Sequence, residues 1–342
     1  MTQNTVSFKY QLEKEQPKIL PGGVTRGASV KEFPASQNLA GVSMHLDSGA
    51  IREMHWHANA AEWGYVVNGQ MRTTLIDPEG NVYVDLFNKG DVWYFPRGFG
   101  HCLQCVGTNA CHFILIFDNG DFSEDHTFSV TDFISSVPAD VAAKCLGITE
   151  AEVAQLPQKE MYFANCELPS VHDGIAQRRK TNDLTTTHRY PLEAQIPIII
   201  PGCGTQRIVS QNEFPIAATI TGTLFEIEPG CMREMHWHPN SDEWQYYLQG
   251  KAEMGVFLAE QTFIKDEFEK GDIGYVPMGA GHYIKNIGQQ LLIVLIGFNN
   301  GKYESIDLSA WIAANPSDIL KGNFMANDAL VAKFPKADRF LV

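Results

Sequence analysis

The chain contains an internal repeat at a fixed spacing. The segment REMHWH begins at Arg52 and again at Arg233, 181 positions later. The same offset relates other identical residues: Gly49 to Gly230, Glu62 to Glu243, Gly90 to Gly271, His101 to His282 and Asn119 to Asn300. Because the offset is constant over about a hundred residues, it indicates two copies of one domain without a net insertion between these positions. One duplicated sequence predicts one fold formed twice.

The two copies lose their common spacing after the last predicted strand. Pro138 corresponds to Pro316 at an offset of 178, so the first copy contains three extra residues. We place them in the segment Ser123–Thr127, of sequence SEDHT, where the second copy has only a short run that begins at Glu304. An insertion confined to one copy predicts a functional difference between the two.

The sequence pattern predicts an all-β-dominated protein. Apolar and aromatic runs of four to eight residues, such as Met71–Ile76, are separated by Gly, Pro, Asn or Asp, which is typical of a sandwich or barrel. Helix signals follow each copy; Thr149 and Glu152, for example, form a capping box. We therefore expect two β-barrels in tandem with short helices after each barrel. The expected divisions are an N-terminal arm (1–20) that docks on the other domain, domain 1 (21–156), a connection (157–195), domain 2 (196–325) and a C-terminal tail (326–342).

Composition excludes several classes of partner. A net charge of −14 disfavours nucleic acid and anionic membrane surfaces. No apolar run approaches the ~18 residues of a membrane span, and the first residues do not resemble a secretory signal. The seven cysteines show no disulfide-framework spacing, which is typical of a reducing compartment, so we expect a cytoplasmic protein.

Three histidines and one glutamate recur at matched positions. His55 and His57 are two residues apart, so a strand would direct both imidazoles to one face. Glu62 follows after a short turn, and His101 arrives on a later strand. The second copy repeats the set as His236, His238, Glu243 and His282. Three imidazoles and one carboxylate suit Mn, Fe, Ni or Co, with two open positions on an octahedral ion. A lone HxH is more often two ordinary histidines, but a duplicated four-residue set predicts a metal site in each copy.

Both halves resemble the cupin family, and the pair resembles bicupins of the oxalate decarboxylase group. The segments REMHWH, GDVWYFPRGFGH and FDNGDFSEDHT carry this resemblance, which covers nearly the whole chain. It implies jelly-roll barrels, manganese in both sites, and a homo-oligomer that is a trimer or hexamer. The implied reaction converts oxalate to formate and CO2, with dioxygen as co-catalyst.

The resemblance also implies roles for three further residues. Arg52 and Arg233 would hold the substrate carboxylate, for which a guanidinium is a planar bidentate match. Strict strand alternation directs these arginines away from the metal, so to reach it they need a bend or a position just before the strand begins. Glu124, in the inserted segment, would be the acid/base on a short lid. The second copy has only Glu304-Ser305-Ile306 at this place, and it has Ile296 where many relatives carry a glutamate on the last strand of the second barrel. We therefore expect domain 1 to be catalytic and domain 2 to be supporting.

The lid departs from the pattern Ser-Glu-Asn-Ser-Thr of the group, because Asp125 and His126 replace its Asn-Ser. Three alternatives to the decarboxylase therefore remain open. An oxalate oxidase on the same site would release CO2 and H2O2 instead of formate. Another dioxygen-using bicupin would act on a different substrate. A storage bicupin would have no activity, although the eight retained ligands disfavour it.

Overall fold

The computed structural model describes residues 7–168 and 187–342, which form antiparallel sheets followed by short helices. The strands before the gap are β1 (Lys9–Tyr10), β2 (Lys18–Leu20), β3 (Gly23–Ala28), β4 (Ala40–Leu46), β5 (Ile51–Trp56), β6 (Glu62–Asn68), β7 (Gln70–Ile76), β8 (Val82–Asn88), β9 (Val92–Phe95), β10 (Gly100–Cys105), β11 (Cys111–Phe117), β12 (Phe128–Ser129) and β13 (Phe163–Ala164). Those after it are β14 (Arg189–Tyr190), β15 (Ile198–Ile200), β16 (Gly204–Val209), β17 (Thr221–Ile227), β18 (Met232–Trp237), β19 (Glu243–Gln249), β20 (Lys251–Phe257), β21 (Phe263–Glu269), β22 (Ile273–Val276), β23 (Gly281–Asn286), β24 (Leu292–Phe298) and β25 (Ile306–Asp307). The helices are α1 (Val130–Ser136), α2 (Ala139–Leu146), α3 (Glu150–Val153), α4 (Leu308–Ala314), α5 (Ser317–Phe324) and α6 (Asp328–Val331).

Each copy is built from two sheets, and the predicted tandem jelly-roll architecture is confirmed. In the first copy one sheet has the order β9-β6-β11-β4-β3-β2 and the other β12-β5-β10-β7-β8, with β13 also paired to β5. The second copy repeats these as β22-β19-β24-β17-β16-β15 and β21-β20-β23-β18-β25. Among the described residues the two sheets of a copy are not hydrogen-bonded into a closed barrel, which corrects the expectation of barrels in the strict sense.

The two copies exchange their first strands. β1 pairs with β22 of the second copy, and β14 pairs with β9 of the first. Ion pairs support both exchanges, since Lys9 lies 2.9 Å from Asp272 and Arg189 lies 2.8 Å from Asp91. Each exchanged strand covers a sheet edge that would otherwise present unpaired backbone groups. Part of the predicted connection, residues 169–186, lies outside the described residues.

The core continues from one copy into the other. Trp63 and Trp244 are fully buried, and both belong to one apolar cluster that includes residues of both copies. The ring of Trp63 packs on Gly222, and the ring of Trp244 packs on Gly41. A Cβ atom at Gly41 would lie 2.0 Å from the Trp244 ring, so only glycine permits this approach.

We expect Gly41→Ala to destabilise the protein by about 1–3 kcal/mol, because the added methyl group overpacks the contact between the copies. Gly322→Ala is the matched control: no atom lies within 4 Å of its Cβ position, and alanine is the better helix former in α5. Thermal unfolding of both variants measures the difference. Equal melting temperatures would show that the Gly41 contact relaxes without cost.

The inserted segment forms a single helical turn. β11 and β24 keep the 181-residue offset, whereas β12 and β25 are 178 residues apart. Between them the first copy forms a 3-10 helix at Glu124–His126, and the second copy takes a shorter route to β25. The predicted place and length of the insertion are therefore those of the structure.

The cysteines differ from the expectation. Cys203 and Cys231 form a disulfide between two turns, with their Cα atoms 5.5 Å apart, and the other five are unpaired. A single bridge between turns has no characteristic spacing, because the fold alone brings the two cysteines together. Within the described ranges, no helix has the length and apolar character needed to span a membrane.

Candidate metal centres

The first copy gathers its four predicted ligands around one point. His55 lies on β5 and His57 directly follows it, Glu62 begins β6, and His101 lies on β10. Glu62 Oε2 lies 3.0 Å from His57 Nε2 and 3.4 Å from His101 Nε2. One ligand atom from each residue lies within 4.8 Å of the others, and all four side chains are buried. The cluster therefore has the composition and spacing of a metal-binding group.

The second copy repeats this geometry. Glu243 Oε2 lies 2.9 Å from His238 Nε2 and 3.0 Å from His282 Nε2. His236 completes the buried set, again with the four ligand atoms within 4.8 Å of one another. Duplicated sequence has thus produced duplicated sites.

Backbone carbonyls orient several of the imidazoles. Glu53 O lies 2.6 Å from His55 Nδ1, and Phe99 O lies 2.9 Å from His101 Nδ1. An Nδ1–H donated to a carbonyl leaves Nε2 as the coordinating atom. His101 Nε2 and His238 Nε2 are buried and lack an aligned hydrogen-bond partner among the described residues. These nitrogens fit a metal ion at the centre of each cluster.

The protonation states also suit a cation. Burial, followed by the charge of Arg52, holds the pKa of His55 well below its ordinary value, so this imidazole is neutral. Burial works to raise the pKa of Glu62, but the adjoining imidazoles of His101 and His57, of which His57 is hydrogen-bonded to it, outweigh burial and lower that pKa. Glu243 has the same balance with His282 and His238. The first centre therefore presents a neutral His55 and an ionised Glu62, and the second presents a neutral His236 and an ionised Glu243, which are donors that suit a divalent ion such as manganese.

The second oxygen of each glutamate is held differently in the two copies. Trp93 Nε1 donates to Glu62 Oε1 over 2.7 Å, whereas Gln245 Nε2 donates to Glu243 Oε1 over 2.6 Å. Such partners fix the orientation of the ligating carboxylate. Sequence reasoning missed both donors.

Each copy has a glycine at the position where the other copy has its hydrogen-bond donor, so neither copy can contain both donors. Gly64 occupies the repeat position of Gln245, and Gly274 occupies that of Trp93. A Cβ at Gly64 would lie 2.1 Å from the Trp93 ring, and one at Gly274 would lie 2.5 Å from the Gln245 side chain. The sequence contains a signal for these donors: at two matched repeat positions, one copy has glycine where the other has a hydrogen-bond donor, and the order is reversed between the two positions.

A bulge in β5 places Arg52 near the first centre. His101 pairs with His55, but Leu103 pairs with Arg52, so β5 has one extra residue there. The expected bend is thus a β-bulge, which re-aims a side chain. Arg52 is fully buried, and its guanidinium stacks on the ring of Tyr162 at 3.9 Å.

Glu124 is brought to this arginine by the inserted turn. Its Oε2 accepts hydrogen bonds from Arg52 Nη2 (3.1 Å) and Nε (3.3 Å) and from the hydroxyl of Tyr162 (3.3 Å). Its Oε1 is buried and has no hydrogen-bond partner within the described part of the chain. Thr127, also in the insertion, accepts a hydrogen bond from Arg52 over 2.8 Å. A pocket of about 200 Å³ adjoins Ser123, Glu124 and Tyr162.

Arg233 has different surroundings at the second centre. Its guanidinium stacks on Phe340 at 4.0 Å and donates to the Phe340 carbonyl. It forms two further hydrogen bonds to Asp307, of 2.9 and 2.5 Å. Sequence reasoning assigned no role to Asp307, because the residue lies 74 positions from Arg233 and outside the metal motif.

The protein belongs to the cupin family, whose model matches residues 10–154 and 190–331, and its two copies make it a bicupin. It is 40% identical over 321 residues to the oxalate decarboxylase OxdC of Bacillus subtilis (strain 168), which covers 93% of this chain and 82% of that protein. A probable oxalate decarboxylase of Arthroderma benhamiae is 31% identical over 340 residues, covering 98% and 83%. A solved structure of the Bacillus subtilis oxalate decarboxylase, studied for its Mn(II) centres, superposes with a TM-score of 0.93 at 36% identity and covers 99% of this chain and 89% of that one.

We expect the protein produced with manganese to contain two manganese ions per chain. His57→Ala and His238→Ala should each reduce this to one, because each removes a ligand from a different site. His188→Gln is the control, since His188 is buried and bonds the Tyr94 carbonyl but belongs to neither set. Metal analysis by mass spectrometry measures the content, and loss of both ions in either single variant would contradict independent sites.

Proposed function

We propose that this protein is a manganese-dependent oxalate decarboxylase that forms formate and CO2, with dioxygen as co-catalyst. The observation that carries the proposal is the burial of Glu124 against Arg52 in the copy that has the inserted turn. The relatives described above are oxalate decarboxylases, and the metal-binding groups support the same assignment.

Arg52 suits the binding of a small dicarboxylate. A substrate with one carboxyl group at the metal centre needs a further donor for its other carboxyl group. The guanidinium is fixed by Tyr162, which stacks on it and accepts a hydrogen bond through its carbonyl. An oriented guanidinium offers two parallel N–H donors to a carboxylate. We assign Arg52 to this contact.

Glu124 suits proton transfer at the same place. The net reaction moves one proton from a carboxyl group of hydrogen oxalate to the carbon that becomes formate, while the C–C bond breaks and CO2 leaves. Glu124 accepts that proton and then returns it, so its carboxyl group ends the cycle unchanged. Bound manganese, with dioxygen, supplies Lewis acidity and one-electron chemistry for the cleavage.

The burial of this region favours protonation over loss of the electron to dioxygen. Arg52 is fully buried, Glu124 is 8% exposed, and the turn that carries Glu124 lies over the arginine. A closed site excludes bulk water and keeps the returning proton beside the substrate. The prompt return of the proton is what separates a decarboxylase from an oxidase on this geometry.

The direct test is turnover of oxalate in air by manganese-quantified protein. We expect one formate per oxalate by proton NMR and no stoichiometric peroxide in a coupled assay. Stoichiometric peroxide without formate would identify an oxalate oxidase. No reaction of the metal-loaded protein would favour a bicupin that acts on another substrate.

We also propose a cytoplasmic location. Cys145 and Cys166 are exposed and unpaired, which favours a reducing compartment. Alkylation of acid-quenched, denatured cells without a reductant should then modify all seven cysteines of the protein, including the buried Cys105 and Cys111. Modification of only five would show that the Cys203–Cys231 disulfide exists in the cell and would contradict this location.

A homo-oligomer, a trimer or hexamer, is part of the same proposal. The helices after each copy leave large apolar side chains exposed, including Phe133 at 60% and Trp311 at 56%. Clustered apolar exposure is typical of protein–protein contact. Light scattering should give three or six times the 38.1 kDa mass of one chain, and a monomeric mass would contradict it.

A further inference from the structure

The two buried arginines are held by carboxylates of unlike geometry. Glu124 meets Arg52 with one oxygen, at 3.1 and 3.3 Å, and leaves its other oxygen without a described partner. Asp307 meets Arg233 with both oxygens, at 2.9 and 2.5 Å. The second contact is the bidentate arrangement that a substrate carboxylate would otherwise make, so Asp307 occupies both terminal nitrogens of Arg233 and, among the described residues, leaves only the buried Nε without a hydrogen-bond partner.

The two carboxylates also differ in how the chain fixes them. Glu124 lies in the inserted one-turn helix, which no sheet hydrogen bond anchors. Asp307 lies on β25, where it pairs in register with the metal ligand His236. A carboxylate on an inserted turn can withdraw when substrate arrives, whereas one held in a strand stays in place.

The residue equivalent to Asp307 in the first copy is Ser129. Ser129 is the N-cap of α1, and its hydroxyl accepts a hydrogen bond from the Asp132 amide. Asp307 is the N-cap of α4, but its side chain makes no capping hydrogen bond. Aspartate is a good capping residue. The Asp307 side chain nevertheless binds Arg233 and leaves the N-terminus of α4 without a side-chain cap. At this repeat position the first copy has a serine that caps a helix, and the second copy has an aspartate that binds an arginine.

We propose that Asp307 withholds Arg233 from the second metal centre, and that the residue at this repeat position decides which centre binds a dicarboxylate. This rests on the proposed function for the identity of the dicarboxylate as oxalate. Wild-type protein then binds two manganese ions but one oxalate per chain. Arg233 lies at the position predicted for a substrate-binding arginine, but it binds Asp307 instead of substrate. Asp307 is therefore a positioning residue, because it acts through Arg233.

The test counts oxalate bound under argon, where dioxygen is absent and turnover is prevented. Isothermal titration of manganese-quantified holoenzyme should give one equivalent for the wild type and two for Asp307→Ser. Ser129→Asp should bind none, because the new carboxylate captures Arg52. Ser129→Asn is the matched control: it has the size and capping ability of aspartate without the charge, and should bind one.

A second measurement separates binding from folding. The Mn(II) EPR spectrum should change at one centre when oxalate is added to the wild type and at both in Asp307→Ser. Asp338 lies close to Asp307 and could replace it, so Asp307→Ser/Asp338→Asn is measured as well. Both substitutions leave small polar residues, and the first copy folds with serine at this position.

Each outcome bears on the proposal separately from the assigned activity. Two oxalates bound by the wild type, or an unchanged count in both Asp307 variants, would overturn it. Full binding by Ser129→Asp would overturn it as well. Failure of the wild type to bind any oxalate would instead contradict the proposed function.

Discussion

Glu124→Gln should lower the rate of formate production by about 10²–10⁴-fold, the usual contribution of a positioned acid or base. Glutamine retains the size of the side chain and can still accept from Arg52, so the site should keep its shape. It lacks the carboxylate that takes up and returns the proton. Manganese content should stay at two ions per chain, because Glu124 belongs to neither ligand set. Formate by NMR and metal analysis on the same sample measure both quantities.

The matched control for this variant is Glu304→Gln. Glu304 lies in the corresponding segment of the second copy, where its backbone carbonyl, rather than its side chain, contacts His238. Its loss should leave formate production within about twofold of the wild type, as for most surface changes. Formate production retained in Glu124→Gln would remove Glu124 from the acid/base role. Peroxide formed in place of formate would support the view that proton return separates the two reactions.

The metal centres could be predicted from sequence because their determinants are local. The spacing of His55 and His57 is the strand period, which directs both side chains to one face. Recurrence at a constant offset then distinguished the ligands from ordinary histidines. Glu62 and His101 followed because they occupy repeat positions with the same neighbours. No knowledge of the chain path was needed for any of these steps.

The surroundings of the arginines depend on that path. Tyr162 reaches Arg52 because β13 returns to pair with β5, and Phe340 reaches Arg233 through the chain end beside β18. These partners are 107 or more positions away in sequence. From the sequence alone, Asp307 would be interpreted as the cap of α4, because aspartate is common at the N-cap of a helix. The difference between an arginine held by one oxygen of a carboxylate and an arginine held by both oxygens is therefore visible only in the fold.

Short strands lie outside the two predicted domains. The arm and the connection both contain a short strand that belongs to the partner copy's sheet. Two-residue strands carry too little periodicity to be recognised, although Lys9-Tyr10 and Arg189-Tyr190 are similar in sequence and correspond at an offset of 180. The expected boundaries at 20 and 195 stay predictions, whereas the family match begins at residues 10 and 190.

Arg52→Gln should reduce kcat/KM for oxalate by about 30-fold to several thousand-fold. Removing one partner of a buried, hydrogen-bonded charge pair costs about 2–5 kcal/mol, which is this range at 1.4 kcal/mol per tenfold. The loss should appear in binding as well as in rate, because the guanidinium is assigned to the substrate carboxylate. Titration of oxalate under argon and steady-state formate production measure the two parts.

Two further variants decide whether charge or geometry is responsible. Arg52→Lys keeps the positive charge but loses the planar pair of donors, so it should recover only a part of the affinity. Arg97→Gln removes an arginine that is 56% exposed and 3.9 Å from Asp118, and it should leave kcat/KM unchanged. Full recovery by lysine would show that charge alone is needed. A value of kcat/KM near that of the wild type in Arg52→Gln would mean that the substrate is held by the metal centre alone, and Glu124 would then need another partner to orient it.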